Sequence, residues 1–379
     1  MPTEKLNPHE RAPAAVRELY NECRRLSLSQ IDSHPHILDV QGLENRHLPD
    51  GITLEHCIPQ AVLKSAFDQF MGSSFWRKYS QVVLKEAFVY GIQQVPGLQI
   101  LPSLLPPPVQ IEILSRLLHR DLCNKRHQTN LHLHYNISYP VSSCDASERP
   151  QSVEGLHRDT VETGNSSFFR DEPTRLLSPK DPTVHRPLSI QAALSSKLRW
   201  MTLGGQYNWT SKEYPPGAPP PFPPDIGALL HSIFPKTTAE AAIVNLYSPG
   251  DTLFPHRDVS EECDTGLISV SFGCDGLFMV GHGDEDGCAV IRLRSGDAVY
   301  MTGSSRFAWH AVPKIIPSTC PTWLEGWPGD NGRGDDTTNN QYREWKGWMA
   351  RKRVNLNVRQ MFPQSPPLEA NFTMSREDD

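Results

Sequence analysis

Long hydrophobic runs are missing. No stretch of the 379-residue chain approaches the ~20 consecutive apolar residues of a membrane helix, which excludes a protein built on spanning helices and any membrane partner of that kind. Paired cysteines are missing too. Cys23, Cys57, Cys123, Cys144, Cys263, Cys274, Cys288 and Cys320 are scattered with no Cys-x-x-Cys, so reduced thiols are expected rather than a zinc ribbon or redox dithiol. Excess positive charge is also absent: the formal net charge is −6. Bulk attraction to nucleic acid is therefore not expected, and such a partner would have to meet a local basic face. The first residues lack an apolar signal region and carry Glu4, Glu10, Glu18 and Glu22. The expectation is a protein of the nucleus and/or cytoplasm in preference to the mitochondrion, and not secreted. Nothing in the pattern speaks to oligomeric state.

Proline is abundant, 34 residues of 379 against a usual usage of about 5%. That argues against a fold of long helices, because an internal proline removes a hydrogen bond and clashes with the preceding turn. Residues 1–94 nevertheless read as a helical amino-terminal extension. Val16, Leu19, Tyr20, Cys23 and Leu26 mark one helical face over 12–31, and a second helix is expected over 76–89, with a loop over 33–60. Residues 95–374 form the main unit, beginning with a helix over 109–121. Residues 140–187 are polar and aperiodic and read as a long exposed connection. From Leu198 the texture becomes short β runs separated by Gly, Pro and Asp. Strands are expected over 241–247, 267–272, 277–280, 288–293, 298–301 and 354–358, with Ser295-Gly296-Asp297 as a hairpin turn. An insertion over 317–348 precedes the last strand, and its part 317–342 reads as loop. The expected class is mainly β with flanking helices (α+β), a sandwich or barrel.

Two His-x-Asp triplets occur, His157-Arg158-Asp159 and His256-Arg257-Asp258. In extended chain, residues two apart point the same way, so either could offer an imidazole and a carboxylate to one metal. His157 lies in the irregular polar stretch. His256 lies between two expected strands, at a barrel rim, and His310 follows the next pair of strands. Two histidines and one carboxylate leave half an octahedron open, the arrangement suited to non-haem Fe(II) that activates O2.

The last strand, 353–359, alternates strictly. One face carries Arg353, Asn355, Asn357 and Arg359; the other carries Val354, Leu356 and Val358. Its two guanidiniums have no carboxylate on their own face, so an anion is expected from elsewhere. Asn245 and Tyr247 likewise share a face of their strand. A dicarboxylate such as 2-oxoglutarate fits these parts: its 2-oxo acid end on Fe(II), its far carboxylate on the planar fork of an arginine. Trp200, Tyr207 and Trp209 could stack on a base extruded from its helix, although aromatic residues in a β segment more often fill a core. Lys346, Arg351 and Lys352 could meet phosphates.

These motifs, Asn245-x-Tyr247, His256-x-Asp258, His310 and Arg353-x-Asn355-x-Asn357-x-Arg359, resemble the AlkB family of Fe(II)/2-oxoglutarate dioxygenases. The runs 95–99 and 199–209 resemble its homolog-1 branch, and the likeness spans about 95–362. The family pattern usually has Thr where this chain has Asn357. The resemblance implies a double-stranded β-helix (jelly roll) with a nucleotide-recognition lid over about 198–215. It implies iron on His256, Asp258 and His310, and 2-oxoglutarate on Asn245, Tyr247, Arg353, Asn355 and Arg359, with Arg353 on the distal carboxylate. It further implies oxidative removal of a methyl group from a nucleobase in tRNA or DNA, releasing formaldehyde, succinate and CO2. A hydroxylase of a protein or small molecule would carry the same metal and cosubstrate motifs. A catalytically silent jelly-roll binding protein would have no reason to keep both the triad and the arginines.

Overall fold

A computed structural model describes residues 6–45, 47–72, 82–140, 167–208, 211–215, 217–283, 287–329 and 341–363. The helices that matter here are α1 (Ala14–Arg25), α2 (Leu28–Ser33), α3 (Gln60–Met71), α4 (Pro107–Ser115) and α5 (Pro224–Ile233). The strands of the first half are β1 (Ile37–Asp39), β2 (Ile52–Ile58), β3 (Ala87–Ile92), β4 (Leu98–Leu101), β5 (Tyr135–Asn136), β6 (Leu176–Pro179) and β7 (Leu188–Ser189). Those of the second half are β8 (Trp200–Gly204), β9 (Ala241–Tyr247), β10 (Leu253–His256), β11 (Leu267–Gly273), β12 (Gly276–Gly281), β13 (Cys288–Leu293), β14 (Ala298–Met301), β15 (Trp309–Ile315) and β16 (Arg353–Arg359).

Two sheets face one another. The larger runs β2-β3-β4-β14-β11-β16-β9-β8 and the smaller β1-β13-β12-β15-β10, the two-layer arrangement of a jelly roll. Because strand residues alternate faces, each sheet has an inner and an outer surface. The outer surface of the larger sheet, with Val244, Leu246, Val270, Phe272, Val354 and Leu356, packs with Phe67, Val109 and Ile226 of α3, α4 and α5. Between the sheets, Leu98, Ile100, Val299 and Met301 meet Phe278, Val280 and Ile291 and fill one end with apolar side chains. The outer surface of the smaller sheet is covered by α1, whose Val16 and Tyr20 pack with Met279, Val290, Trp309 and Ala311. The other end of the intersheet space is lined by the alternating polar residues of β16 and its neighbours.

Several sequence expectations are corrected. The helix expected over 76–89 is in part strand: β3 begins at Ala87, where Phe88, Val89 and Tyr90 suit a buried strand better than a helical turn. Residues 73–81 lie outside the described residues. The segment 33–60 is not simply loop, because it contains β1, which pairs in parallel with β13, and β2, which pairs with β3. The first ninety-odd residues therefore supply strands to both sheets, in addition to helices, and β3 pairs directly with β4 across position 94. Ser295-Gly296-Asp297 does not close a hairpin. It carries the chain from β13 in the smaller sheet to β14 in the larger one, and the buried Asp297 carboxylate accepts from the backbone N–H of Ser103 and Arg294, both within 2.8 Å. Within 140–187, residues 141–166 lie outside the described residues, but Phe168 and Phe169 beyond them are buried. Within the expected loop 317–342, Trp327 is a core residue rather than loop surface, and Trp345 and Trp348 farther along the insertion are buried as well.

Candidate metal and cosubstrate site

His256 ends β10 and His310 is the second residue of β15. They are direct partners in the antiparallel register, so both imidazoles project from one face of the smaller sheet, with ring centroids 4.3 Å apart. Each Nδ1 faces a backbone carbonyl two residues back: His256 to Phe254 at 2.9 Å and His310 to Ala308 at 3.2 Å. Donation there would hold both rings in the tautomer that leaves Nε2 its lone pair. Asp258 completes the group, its Oδ1 3.8 Å from His256 Nε2 and its Oδ2 3.8 Å from His310 Nε2. All three ligand atoms lie within 4.8 Å of one another.

Electrostatics favour a cation at this point. Burial opposes charge on Asp258, but Arg359 and the two imidazoles outweigh it and hold the carboxyl well below the usual carboxylate range. His310 is lowered to about 4, first by burial and then by His256, so its imidazole is neutral at physiological pH. His310 Nε2 is buried without a hydrogen-bond partner among the described residues. A buried, neutral, unpartnered imidazole nitrogen beside an ionised carboxylate and a second imidazole fits a divalent metal.

The larger sheet supplies the rest through register. Residues opposed across antiparallel strands share a face. Arg353 is opposite Tyr247 and Gly273, Asn355 is opposite Asn245 and Ser271, and Trp200 is opposite Asn245. A row of Trp200, Asn245, Asn355 and Ser271 thus crosses four strands. Asn355 donates through Nδ2 to Ser269 Oγ at 2.8 Å.

Arg353 is 2% exposed and, among the described residues, has no carboxylate in hydrogen-bond contact. Nη1 donates to the carbonyls of Cys274 at 3.1 Å and Leu293 at 3.2 Å, and Nη2 to Ser271 Oγ at 2.8 Å. Nε is buried with no partner among the described residues, so Nε and the remaining hydrogen of Nη2 form a side-on fork. That fork matches a carboxylate held by two parallel hydrogen bonds. Burial disfavours this guanidinium's charge and lowers its pKa, which an anion at the fork would offset. Gly276 makes the close fit possible: a Cβ there would lie 2.8 Å from Arg353 Nε. The residues present fit both an Fe(II) ion and the far carboxylate of 2-oxoglutarate.

The two arginines of β16 differ. Arg359 was expected to lack a carboxylate, yet its Nη2 donates to Asp258 Oδ2 at 2.5 Å and its Nε lies 3.2 Å from Glu261 Oε1. Asn357 also reaches Asp258, at 3.5 Å. Lys352 is buried, donating to Ser195 O and Ser248 Oγ at 2.7 and 2.8 Å, so it does not present its ammonium to a phosphate; Lys346 and Arg351 are exposed. Five residues of the segment expected as a lid, Trp200–Gly204, form edge strand β8. Tyr207 beyond it is half-buried, stacks edge-on with Tyr214 at 5.4 Å and approaches Ser260 Oγ at 3.5 Å. His157 and Trp209 lie outside the described residues. Sequence reading missed Ser271, Gly276, Glu261 and Arg306. Glu261 was marked only by its position three after Asp258, and Gly276 by nothing beyond a turn.

The family model for the 2OG-Fe(II) oxygenase superfamily matches residues 169–359. The chain is 42% identical to an "N6-methyladenosine RNA demethylase ALKB1" of Pyricularia oryzae, over 94% of this chain and 98% of that one. It is 47% identical to an "N6-methyladenosine RNA demethylase ALKBH" of Cryphonectria parasitica, over 61% of this chain and 99% of the other. It is also 37% identical to a "tRNA demethylase abh1" of Schizosaccharomyces pombe, over 73% and 82%.

Proposed function

The chain belongs to the 2OG-Fe(II) oxygenase superfamily, in the homolog-1 branch of the AlkB family, and on that premise we propose that it demethylates a methylated nucleobase in tRNA or DNA. The net reaction converts 2-oxoglutarate and O2 to succinate and CO2 and releases the methyl group as formaldehyde. The observation that carries the reading is similarity to an RNA demethylase over nearly the full length of both chains.

Bound Fe(II) with 2-oxoglutarate and O2 supplies oxidation of an otherwise inert methyl C–H bond. His256, Asp258 and His310 would hold the metal through three positions, leaving the others for cosubstrate and oxygen. Arg353, held in place by Ser271 and two carbonyls, would take the far carboxylate, and Tyr247, Asn245, Asn355 and Arg359 would line the rest. Trp200 and Tyr207 are the candidates to stack on the extruded base, because the first shares the polar row of the large sheet and the second stands next to Ser260, two residues from Asp258.

The test is mass spectrometry of methylated tRNA and DNA after incubation with the protein, Fe(II), ascorbate and 2-oxoglutarate. Loss of a methylated base, with formaldehyde and succinate in equal amount, is expected. Undiminished methylation of every nucleic acid, with succinate formed on addition of a protein or small molecule, would replace this reading by the other hydroxylase class.

A further inference from the structure

Four charged side chains behind the metal group form one buried chain. Asp258 Oδ2 accepts from Arg359 Nη2 at 2.5 Å. Arg359 Nε lies 3.2 Å from Glu261 Oε1. Glu261 Oε2 accepts from Arg306 Nη2 at 2.9 Å. Arg306 then returns to the same loop, donating through Nη1 to the Asp258 carbonyl at 2.7 Å and through Nε to the Thr265 carbonyl at 2.9 Å. Side-chain exposure is 1% for Arg306, 3% for Glu261 and 4% for Arg359. Tyr214, beyond the aromatic segment at the mouth, donates its hydroxyl to Glu261 Oε1 at 3.1 Å.

Two negative and two positive groups alternate, so Glu261 competes with Asp258 for one guanidinium. In a low-dielectric setting that competition is strong. Without Glu261, Arg359 would pair with Asp258 alone, and a metal would have to take the carboxylate from an undivided cation. With it, part of the guanidinium's charge is already answered. Deleting the backing of a ligand typically costs 10–100-fold in metal affinity.

We propose that Glu261 is a positioning residue of the metal centre, which by sharing Arg359 leaves the Asp258 carboxylate available to the ion and, through Arg306, fixes the loop that carries it. This rests on the reading of His256, Asp258 and His310 as metal ligands, so its test measures metal affinity without nucleic acid or turnover.

Metal-free full-length protein is titrated with Co(II), following visible absorption, alongside thermal melting of the same metal-free samples. Wild type should bind one Co(II), and His256→Ala should not; failure of that control would sink the metal reading itself. Glu261→Gln removes the charge and keeps a single acceptor oxygen in a side chain of the same shape. It should weaken Co(II) binding about ten-fold or more in protein that still melts cooperatively. Glu261→Asp, which keeps the charge but draws it back from Arg359, should weaken it less, by roughly three-fold. A variant that melts at lower temperature but binds Co(II) with wild-type affinity would overturn the proposal, because a role confined to folding the loop predicts that result. If Glu261→Gln yields no folded protein, the aspartate variant decides alone: unchanged affinity overturns the proposal and weakened affinity supports it.

Discussion

Tyr247 stands directly opposite Arg353 across β9 and β16, a buried phenol against a buried guanidinium. Burial drives the Tyr247 hydroxyl above its ordinary value, and Arg353 pulls it partly back. The phenol therefore stays neutral and can only donate to, or accept from, whatever occupies the space in front of Arg353. Both side chains are placed by register alone, one residue on each of two adjacent strands.

Arg353→Ala should weaken 2-oxoglutarate binding by about 3–4 kcal/mol, roughly a few hundred-fold, since two charge-assisted hydrogen bonds are lost and solvent recovers part. Arg353→Lys should not restore it, because an ammonium lacks the planar fork. Gly276→Ala should do similar damage without touching the charge, as the new Cβ displaces the guanidinium. Calorimetric titration of the metal-loaded protein checks all three; wild-type affinity in Gly276→Ala would remove the fork from the account.

His256→Ala, Asp258→Ala and His310→Ala should each end succinate formation, with loss of at least about a hundred-fold in metal affinity, more than the loss of an outer partner brings. His157→Ala should leave both unchanged. Succinate formation that survives His310→Ala but not His157→Ala would assign the metal to the wrong triplet.

Trp200→Ala and Tyr207→Ala should reduce demethylation of an oligonucleotide by an amount equivalent to about 1–3 kcal/mol of base stacking. Consumption of 2-oxoglutarate without a methylated substrate should persist, because neither residue belongs to the metal triad or the Arg353 fork. Equal loss of both rates together with a lower melting temperature would mean that these rings only pack the sheet edge.

The pH dependence of stability should carry the mark of Lys352. Burial, then the neighbouring Arg199 and Arg351, lower its pKa from 10.5 to about 8. Between those values the unfolded chain holds more proton than the folded one, so this group makes stability rise as pH climbs from about 8 to 10.5. Relative to Lys352→Met, the wild type should gain about 2–3 kcal/mol across that range. Parallel denaturation curves for the two proteins at both ends of the range would refute the buried ammonium.

What the sequence made legible was the local pattern. The alternation of β16 placed four polar side chains on one face, and the His-x-Asp spacing at a strand end brought two candidate ligands together with a third, His310, from the partner strand. Pairing between distant segments was not legible in the same way. Ser295-Gly296-Asp297 has the composition of a hairpin turn, but which sheet receives the next strand depends on partners such as Ser103, far away in sequence. Arg359 reads as an unbalanced cation on β16, since Glu261 and Asp258 reach it from a loop on the other side. Residues 87–89 read as the end of a helix because their apolar residues are contiguous, and contiguity suits a buried strand as well as a helix.

The parallel pairing of β1 with β13 joins Ile37–Asp39 to Val290–Arg292, and α1 rests on β15, which ends at Ile315. Contacts this remote in the chain raise the contact order and slow folding. During synthesis at about 5–20 residues per second, Val16 and Tyr20 would wait on the order of 15–60 s for the strands that bury them. A segment made well before its partners is thus among the late ones to find its place. Folding should be largely post-translational, with α1 a segment that a chaperone could hold in the interval.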